Sequence, residues 1–151
     1  SNAGSRISFQ APNSATQLAF VYNQGINAVN MTSTTAPTIY DGLATASGTN
    51  FVYANGNLVG SNAAAVAVAS SCPVTLGASI SGGTCTATSA FPLRGTLEEV
   101  LVYNTQLSTS ARQLVEGYLA CKWGLQANLP ATHPYANTCP YYPNFLNIGG
   151  S

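Results

Sequence analysis

Between Leu93 and Leu125 the chain changes its hydrophobic period, and that change limits what it can fold into. Leu97, Val100, Leu101 and Val102 are strand formers clustered together, which predicts a buried strand over 97–102. Past Leu107, the residues Ala111, Leu114, Val115, Tyr118, Leu119 and Trp123 recur at three- and four-residue steps, one face of a helix. A helix over about 109–123 is expected, packed through Leu114, Val115, Tyr118 and Leu119. Ser108 is the expected N-cap, because its hydroxyl can accept from a first-turn amide that lacks a helical partner. Three residues on stands Ala111, so the reciprocal glutamate of a capping box is missing. Gly124 can take the left-handed conformation that ends a helix.

Ahead of this unit the signals are those of short strands and turns. Ile7-Ser8-Phe9, Leu18 to Tyr22 and Thr38-Ile39-Tyr40 read as strands, set apart by polar segments such as Pro12-Asn13-Ser14 and Asn23-Gln24-Gly25. Asp41-Gly42 reads as a turn. Phe51-Val52-Tyr53, Asn55-Gly56 and Leu58-Val59 form the strongest hairpin signal, since Asn-Gly tolerates the positive φ angles of a type I′ turn. Ala63 to Ala69 is expected to be a strand from the alternation of Val66 and Val68, and 82–89 a loop. Pro130, Pro134, Pro140 and Pro143 keep the chain after Leu125 from continuing a helix, so it should lie on the surface.

Charge is the unusual part of the composition. Charged residues make up 5% of the chain, against about 25% in ordinary globular domains. Arg94, Glu98, Glu99, Arg112, Glu116 and Lys122 lie close together in sequence, and only Arg6 and Asp41 precede them. A surface covered by Ser, Thr, Asn, Gln, Ala and Gly suits an extracellular β-protein and argues against nucleic acid, which needs a basic stripe. At 46% apolar residues the chain is too hydrophobic to stay disordered. No stretch approaches the ~20 apolar residues of a membrane-spanning helix. Cys72, Cys85, Cys121 and Cys139 are an even set without Cys-x-x-Cys spacing, which fits disulfides better than a zinc or redox site. Of the three possible connectivities the local one, Cys72 with Cys85 and Cys121 with Cys139, is preferred. Either bridge would be worth ~3 kcal/mol on a chain-entropy account.

Several of these residues carry a resemblance. Gly95, Glu99, Val100, Val102, Tyr103, Asn104, Leu107, Ser108, Tyr118, Leu119, Lys122, Trp123 and Gly124 read like the last strand and helix of laminin-G-like (concanavalin A-like lectin/glucanase) domains of bacterial secreted proteins. Leu129 to Tyr135 resembles the usual ending of that family, and Tyr40-Asp41-Gly42, Phe51 to Gly60 and Val74 to Gly77 resemble its central strands. The likeness covers about 40–135. It implies an all-β fold, an antiparallel two-sheet β-sandwich (jelly roll) with one C-terminal α-helix. Ser1-Asn2-Ala3 reads as a remnant of tag removal, so the domain is expected at 4–135 and a surface tail at 136–151. Cys121 stands where the family usually has alanine and Cys139 lies beyond its usual ending, which suggests a staple from tail to helix. Such domains usually carry more strands ahead of the 40–42 segment. The chain is therefore expected to be a compact variant, or else one whose bare sheet edge recruits a strand from a neighbour.

A catalytic set is harder to find. Glycan cleavage needs two carboxyls ~5–10 Å apart, and neighbours such as Glu98 and Glu99 would point to opposite faces of a strand. Glu99 is expected to pair with Arg94, Arg112 or backbone amides. His133, the sole histidine, reads as a packing or hydrogen-bonding residue of a clasp, Leu129 to Tyr135, and no Gly-x-Ser-x-Gly elbow is present. Calcium, which the family often binds at a rim, wants six to eight oxygens, and Asp41 alone is a poor start. No cofactor or metal is therefore expected. The candidate ligand-binding residues are Tyr135, Tyr141, Tyr142 and Asp41, with Tyr22, Tyr40, Phe51 and Tyr53 as further stacking surfaces. The expected role is a non-catalytic extracellular or cell-surface binding and adhesion module for glycan or protein. The alternative is a structural subunit of a surface assembly whose partner is a copy of itself.

Overall fold

The computed structural model describes residues 7–10, 17–22, 27–32, 34–45, 48–63, 76, 79–80, 87–88 and 95–141. Strands β1 (Ile7–Gln10), β2 (Gln17–Tyr22) and β3 (Asn27–Thr32) form one antiparallel sheet in sequence order. Strands β4 (Tyr40–Ala44), β5 (Thr49–Ala54) and β6 (Asn57–Ala63) form a second, also in sequence order. A short ladder pairs β7 (Ser79–Ile80) with β8 (Ala87–Thr88), and the one helix among the described residues longer than a single turn is α1 (Thr109–Trp123). A 3-10 turn at Gln126–Asn128 follows it. Among the described residues, no helix is long and apolar enough to cross a membrane.

This is not the two-sheet jelly-roll sandwich that the resemblance implied. Both three-stranded sheets are plain meanders, each strand hydrogen-bonded to its neighbour in sequence, whereas a jelly roll interleaves distant strands. The segment expected to supply the buried strand, 97–102, enters no ladder. Leu97, Val100 and Val102 are exposed, Val102 to 75%. Strand propensity there meets no partner strand, and side chains on α1 hold the segment instead. Trp123 Nε1 donates to Glu99 Oε2 at 3.0 Å, Tyr118 donates to Glu99 Oε1 at 3.2 Å, and Lys122 Nζ lies 3.1 Å from Glu99 Oε2. Among the described residues Glu99 thus pairs with the helix side chains and not with Arg112 or backbone amides, and Arg94 lies outside the described residues.

Local signals served better. Asn55 (φ 48°) and Gly56 (φ 78°) form the two-residue turn between β5 and β6, with Ala54 opposite Asn57. Asn55 also fastens the turn to the chain before β4. Its Oδ1 accepts from Ile39 N at 2.9 Å, and its own N–H donates to Ile39 O at 2.8 Å. Helix α1 starts at Ser108, whose Oγ accepts from Ala111 N at 3.2 Å, and stops at Gly124 in the left-handed region. Asp41 is no turn residue: it sits inside β4, opposite Tyr53 of β5. β3 takes up part of the polar segment before Thr38, which carried no strand signal. The expected strand at 63–69 lies outside the described residues except for Ala63, the last residue of β6.

The buried face of α1 is rotated from the expected one. Arg112, Val115, Glu116, Gly117 and Ala120 are buried, while Leu114, Tyr118 and Leu119 are half-buried and Trp123 is exposed. Ala120 packs with Ile39 and Leu129, joined by Leu119, Leu125 and Ala136. Two charged side chains on the inner face are tolerated because partners await them there.

The disulfide Cys121–Cys139 is present, with Cα atoms 5.7 Å apart, tying the end of the helix to the segment that follows it. Cys72 and Cys85 lie outside the described residues.

Candidate functional site

Three elements bring four ionisable groups together. β4 contributes Asp41, α1 contributes Arg112 and Glu116, and the clasp contributes His133. Glu116 is wholly buried, and Arg112 and His133 are buried beside it. The Glu116 carboxylate accepts from both sides: Oε1 from Arg112 Nη1, and Oε2 from His133 Nε2 at 2.9 Å. His133 Nδ1 accepts from the backbone N–H of Tyr135 at 3.2 Å, so the ring proton sits on Nε2 and the imidazole is neutral. Arg112 also stacks on Tyr53, its Cζ 3.7 Å from the ring centroid, so the guanidinium is gripped by helix and sheet together.

Asp41 completes the group in an unusual way. Its Oδ2 is buried and meets no donor among the described residues. The Glu116 carboxyl is near enough for its charge to act on Asp41. Two carboxylates buried near one another disfavour each other's ionised form. Burial, then the Glu116 charge, pushes Asp41 up to about 8, while Arg112 and His133 pull the other way. Burial also raises Glu116, offset chiefly by the Arg112 charge. His133 is lowered, first by burial and then by Arg112.

Small residues let these elements close. A Cβ on Gly117 would lie 2.5 Å from Tyr135 Cγ and 2.6 Å from Tyr135 Cβ, so the tyrosine of the clasp sits directly on the helix backbone. On the opposite side, a Cβ on Gly56 would meet His133 Cδ2 at 3.1 Å and Pro130 Cδ at 3.3 Å. The hairpin turn and the helix therefore hold the clasp between them. Gly117→Ala should force Tyr135 off the helix and cost ~1–3 kcal/mol, read as a lower urea midpoint. An unchanged midpoint would show that Tyr135 yields freely.

Beside the cluster, and sharing Arg112 and Tyr53 with it, opens a cleft of about 330 Å³. Its sheet side is Leu43, Phe51 and Tyr53, and its helix side is Gln106, Leu107, Ser108, Thr109 and Arg112. Of the sequence candidates, Asp41 is internal to the cluster and Tyr135 is docked on Gly117. Tyr141 is 74% exposed, and Tyr142 lies outside the described residues. Phe51 and Tyr53 line the cleft, while Tyr40 lines a separate depression of about 440 Å³ with Asn55 and Asn128. Sequence reading missed Arg112 and Glu116 as site residues, and missed Gln106 and Thr109. The available signal was scarcity: Arg112 and Glu116 stand four apart on one helix in a chain with hardly any charge. No group of three or more His, Cys, Asp or Glu among the described residues is placed to hold a metal ion. No family model matches the chain, and neither the curated proteins nor the solved structures include a significant match to it.

Proposed function

We propose that this chain is a non-catalytic extracellular binding module, related to the laminin-G-like domains it resembles, that holds a glycan in the cleft between β4–β5 and the start of α1. The observation that carries the reading is the lining of that cleft. Two aromatic side chains, Phe51 and Tyr53, face hydroxyl, amide and guanidinium groups of Ser108, Thr109, Gln106 and Arg112. Apolar walls with a few fixed polar groups suit a ring that offers C–H faces and hydroxyl edges. Glu116, which could otherwise serve acid–base chemistry, is wholly buried and bonded to Arg112 and His133. A glycan array followed by nuclear magnetic resonance titration tests this. The expected result is shifts at Gln106, Thr109 and Phe51, with binding lost in Gln106→Ala/Thr109→Ala, whose exposed side chains leave the fold unaltered. Absence of any glycan binder, or shifts elsewhere, would overturn the reading.

One observation favours the second reading, a subunit that packs against copies of itself. Leu97, Val100 and Val102 present apolar side chains along an extended segment without a ladder. A dilution series of solution mass discriminates, since a monomer at all concentrations removes this alternative.

A further inference from the structure

We propose that the cleft between β4–β5 and the start of α1 selects acidic glycans, docking the carboxylate of a uronic acid on the open edge of the Arg112 guanidinium. This rests on the glycan reading of the cleft and adds the class of sugar. Arg112 is the only charged residue in the lining. One of its nitrogens is engaged: Nη1 donates to Glu116 Oε1. Tyr53 covers a face of the guanidinium, with Cζ 3.7 Å from the ring centroid, and a planar cation stacked in this way keeps its N–H groups directed outward from its edges. Nε and Nη2 make no hydrogen bond among the described residues, although Arg112 is only 8% exposed. The enclosed polar side-chain atoms without a partner are Asp41 Oδ2 and Asn50 Nδ2, and the Arg112 nitrogens are not among them. Nε and Nη2 therefore reach solvent, and the cleft that Arg112 lines is where they do so. These two nitrogens form the side of the fork whose parallel N–H groups match the two oxygens of a carboxylate.

The start of α1 lies on the same side and favours the same charge. Its first intrahelical bond runs from Arg112 N to Ser108 O at 2.9 Å, and Ala111 N is taken by Ser108 Oγ at 3.2 Å. The N–H groups of Thr109 and Ser110 are left without a partner inside the helix. No acidic residue stands in the first turn, so nothing of the helix's own offsets the positive end of its dipole. This is the lesser contribution, and the guanidinium edge fixes the place.

The walls decide what carries the carboxylate. A small inorganic anion would leave Phe51, Tyr53 and Leu43 uncovered. A neutral sugar would cover them, but would displace water from the Arg112 edge without offering an anionic acceptor in return. A uronic acid answers both, with its C–H face on the aromatic rings and its carboxylate on Nε and Nη2. Glu116 already neutralises the far side of the guanidinium, which limits the gain from a second carboxylate to about one charge-assisted hydrogen bond, or about tenfold in affinity.

Matched pairs of sugars test this on the wild-type chain. Oligosaccharides of glucuronic, galacturonic or mannuronic acid are each compared with their carboxyl-reduced, neutral counterparts, on an array and then by nuclear magnetic resonance titration. At least one acidic member should bind about tenfold more tightly than its counterpart and shift the Arg112 Nε–H resonance. Ser110→Asp places an acid at the exposed start of the helix, where it favours folding, and should bring that margin close to one. Equal binding within every pair, or binding of neutral glycans alone, would overturn the acidic preference and leave the glycan reading standing. No glycan bound at all would end both. Acidic binding that leaves Arg112 Nε–H unmoved, or a margin unchanged in Ser110→Asp, would overturn the docking of the carboxylate at this edge.

Discussion

Replacing Glu116 with alanine is expected to cost ~3–5 kcal/mol, the largest effect of any single change in the described structure. The side chain is wholly buried and is the shared acceptor of Arg112 and His133. Its removal strands a guanidinium at the inner face of the helix and leaves the His133 Nε2–H without its acceptor. Asp41 softens the loss, because once the neighbouring anion is gone it ionises and becomes the counter-charge to Arg112. The cost should therefore fall toward the lower end of that range, and the Asp41 carboxyl should return toward the ordinary carboxylate range. Against a total stability of ~5–15 kcal/mol, the variant would be marginal at best. Removing cation and anion together should do less harm. Arg112→Met/Glu116→Leu leaves two groups that are already neutral, a protonated Asp41 and the Nε2–H imidazole, beside an apolar pair of similar length. Urea unfolding of both variants checks this. If the double variant is no more stable than Glu116→Ala, the groups do not act as one unit.

What could be read from the chain beforehand divides along physical lines. The Asn55-Gly56 turn and the helix ends at Ser108 and Gly124 were legible because each depends on the backbone preferences of one or two residues. The 97–102 strand was misread because propensity names a segment that can pair and says nothing of whether a partner arrives. Here the Glu99 carboxylate bonds to Trp123 and Tyr118 and the segment follows the helix. The helix face was misread for a related reason. Periodicity weighs Leu114 and Tyr118 as inward and Arg112 and Glu116 as outward, since a lone charge belongs in water. Asp41 and His133, distant in sequence, reverse that weighting by supplying partners. The jelly-roll expectation failed at the same level: the motif run around α1 is local, whereas the order of strands in a sheet is not.

Loss of the Cys121–Cys139 bridge should be the second large effect, ~3 kcal/mol for a bridge that closes a loop of this size. Its sequence separation is 18, and the closed loop contains the 3-10 turn and the whole clasp. The bond therefore restrains the unfolded chain and also confines the segment that presents His133 to Glu116. Cys121→Ser/Cys139→Ser is the informative variant, because a reductant would act on every cysteine pair in the chain at once. Two readouts are expected to separate. The global unfolding midpoint should drop by the amount stated, and limited proteolysis should cut between Leu125 and Cys139 well before the β4–β6 sheet is attacked. The second follows because the clasp, once untethered, is held among the described residues by no ladder but by His133 on Glu116, Tyr135 on Gly117, Pro130 and His133 against the Gly56 turn, and the packing of Leu129 against Ile39 and Ala120. If the double variant keeps the wild-type cleavage pattern while its midpoint falls, the bridge acts on the unfolded chain alone. If neither changes, the tail is secured to the helix by packing, and the staple adds nothing to it.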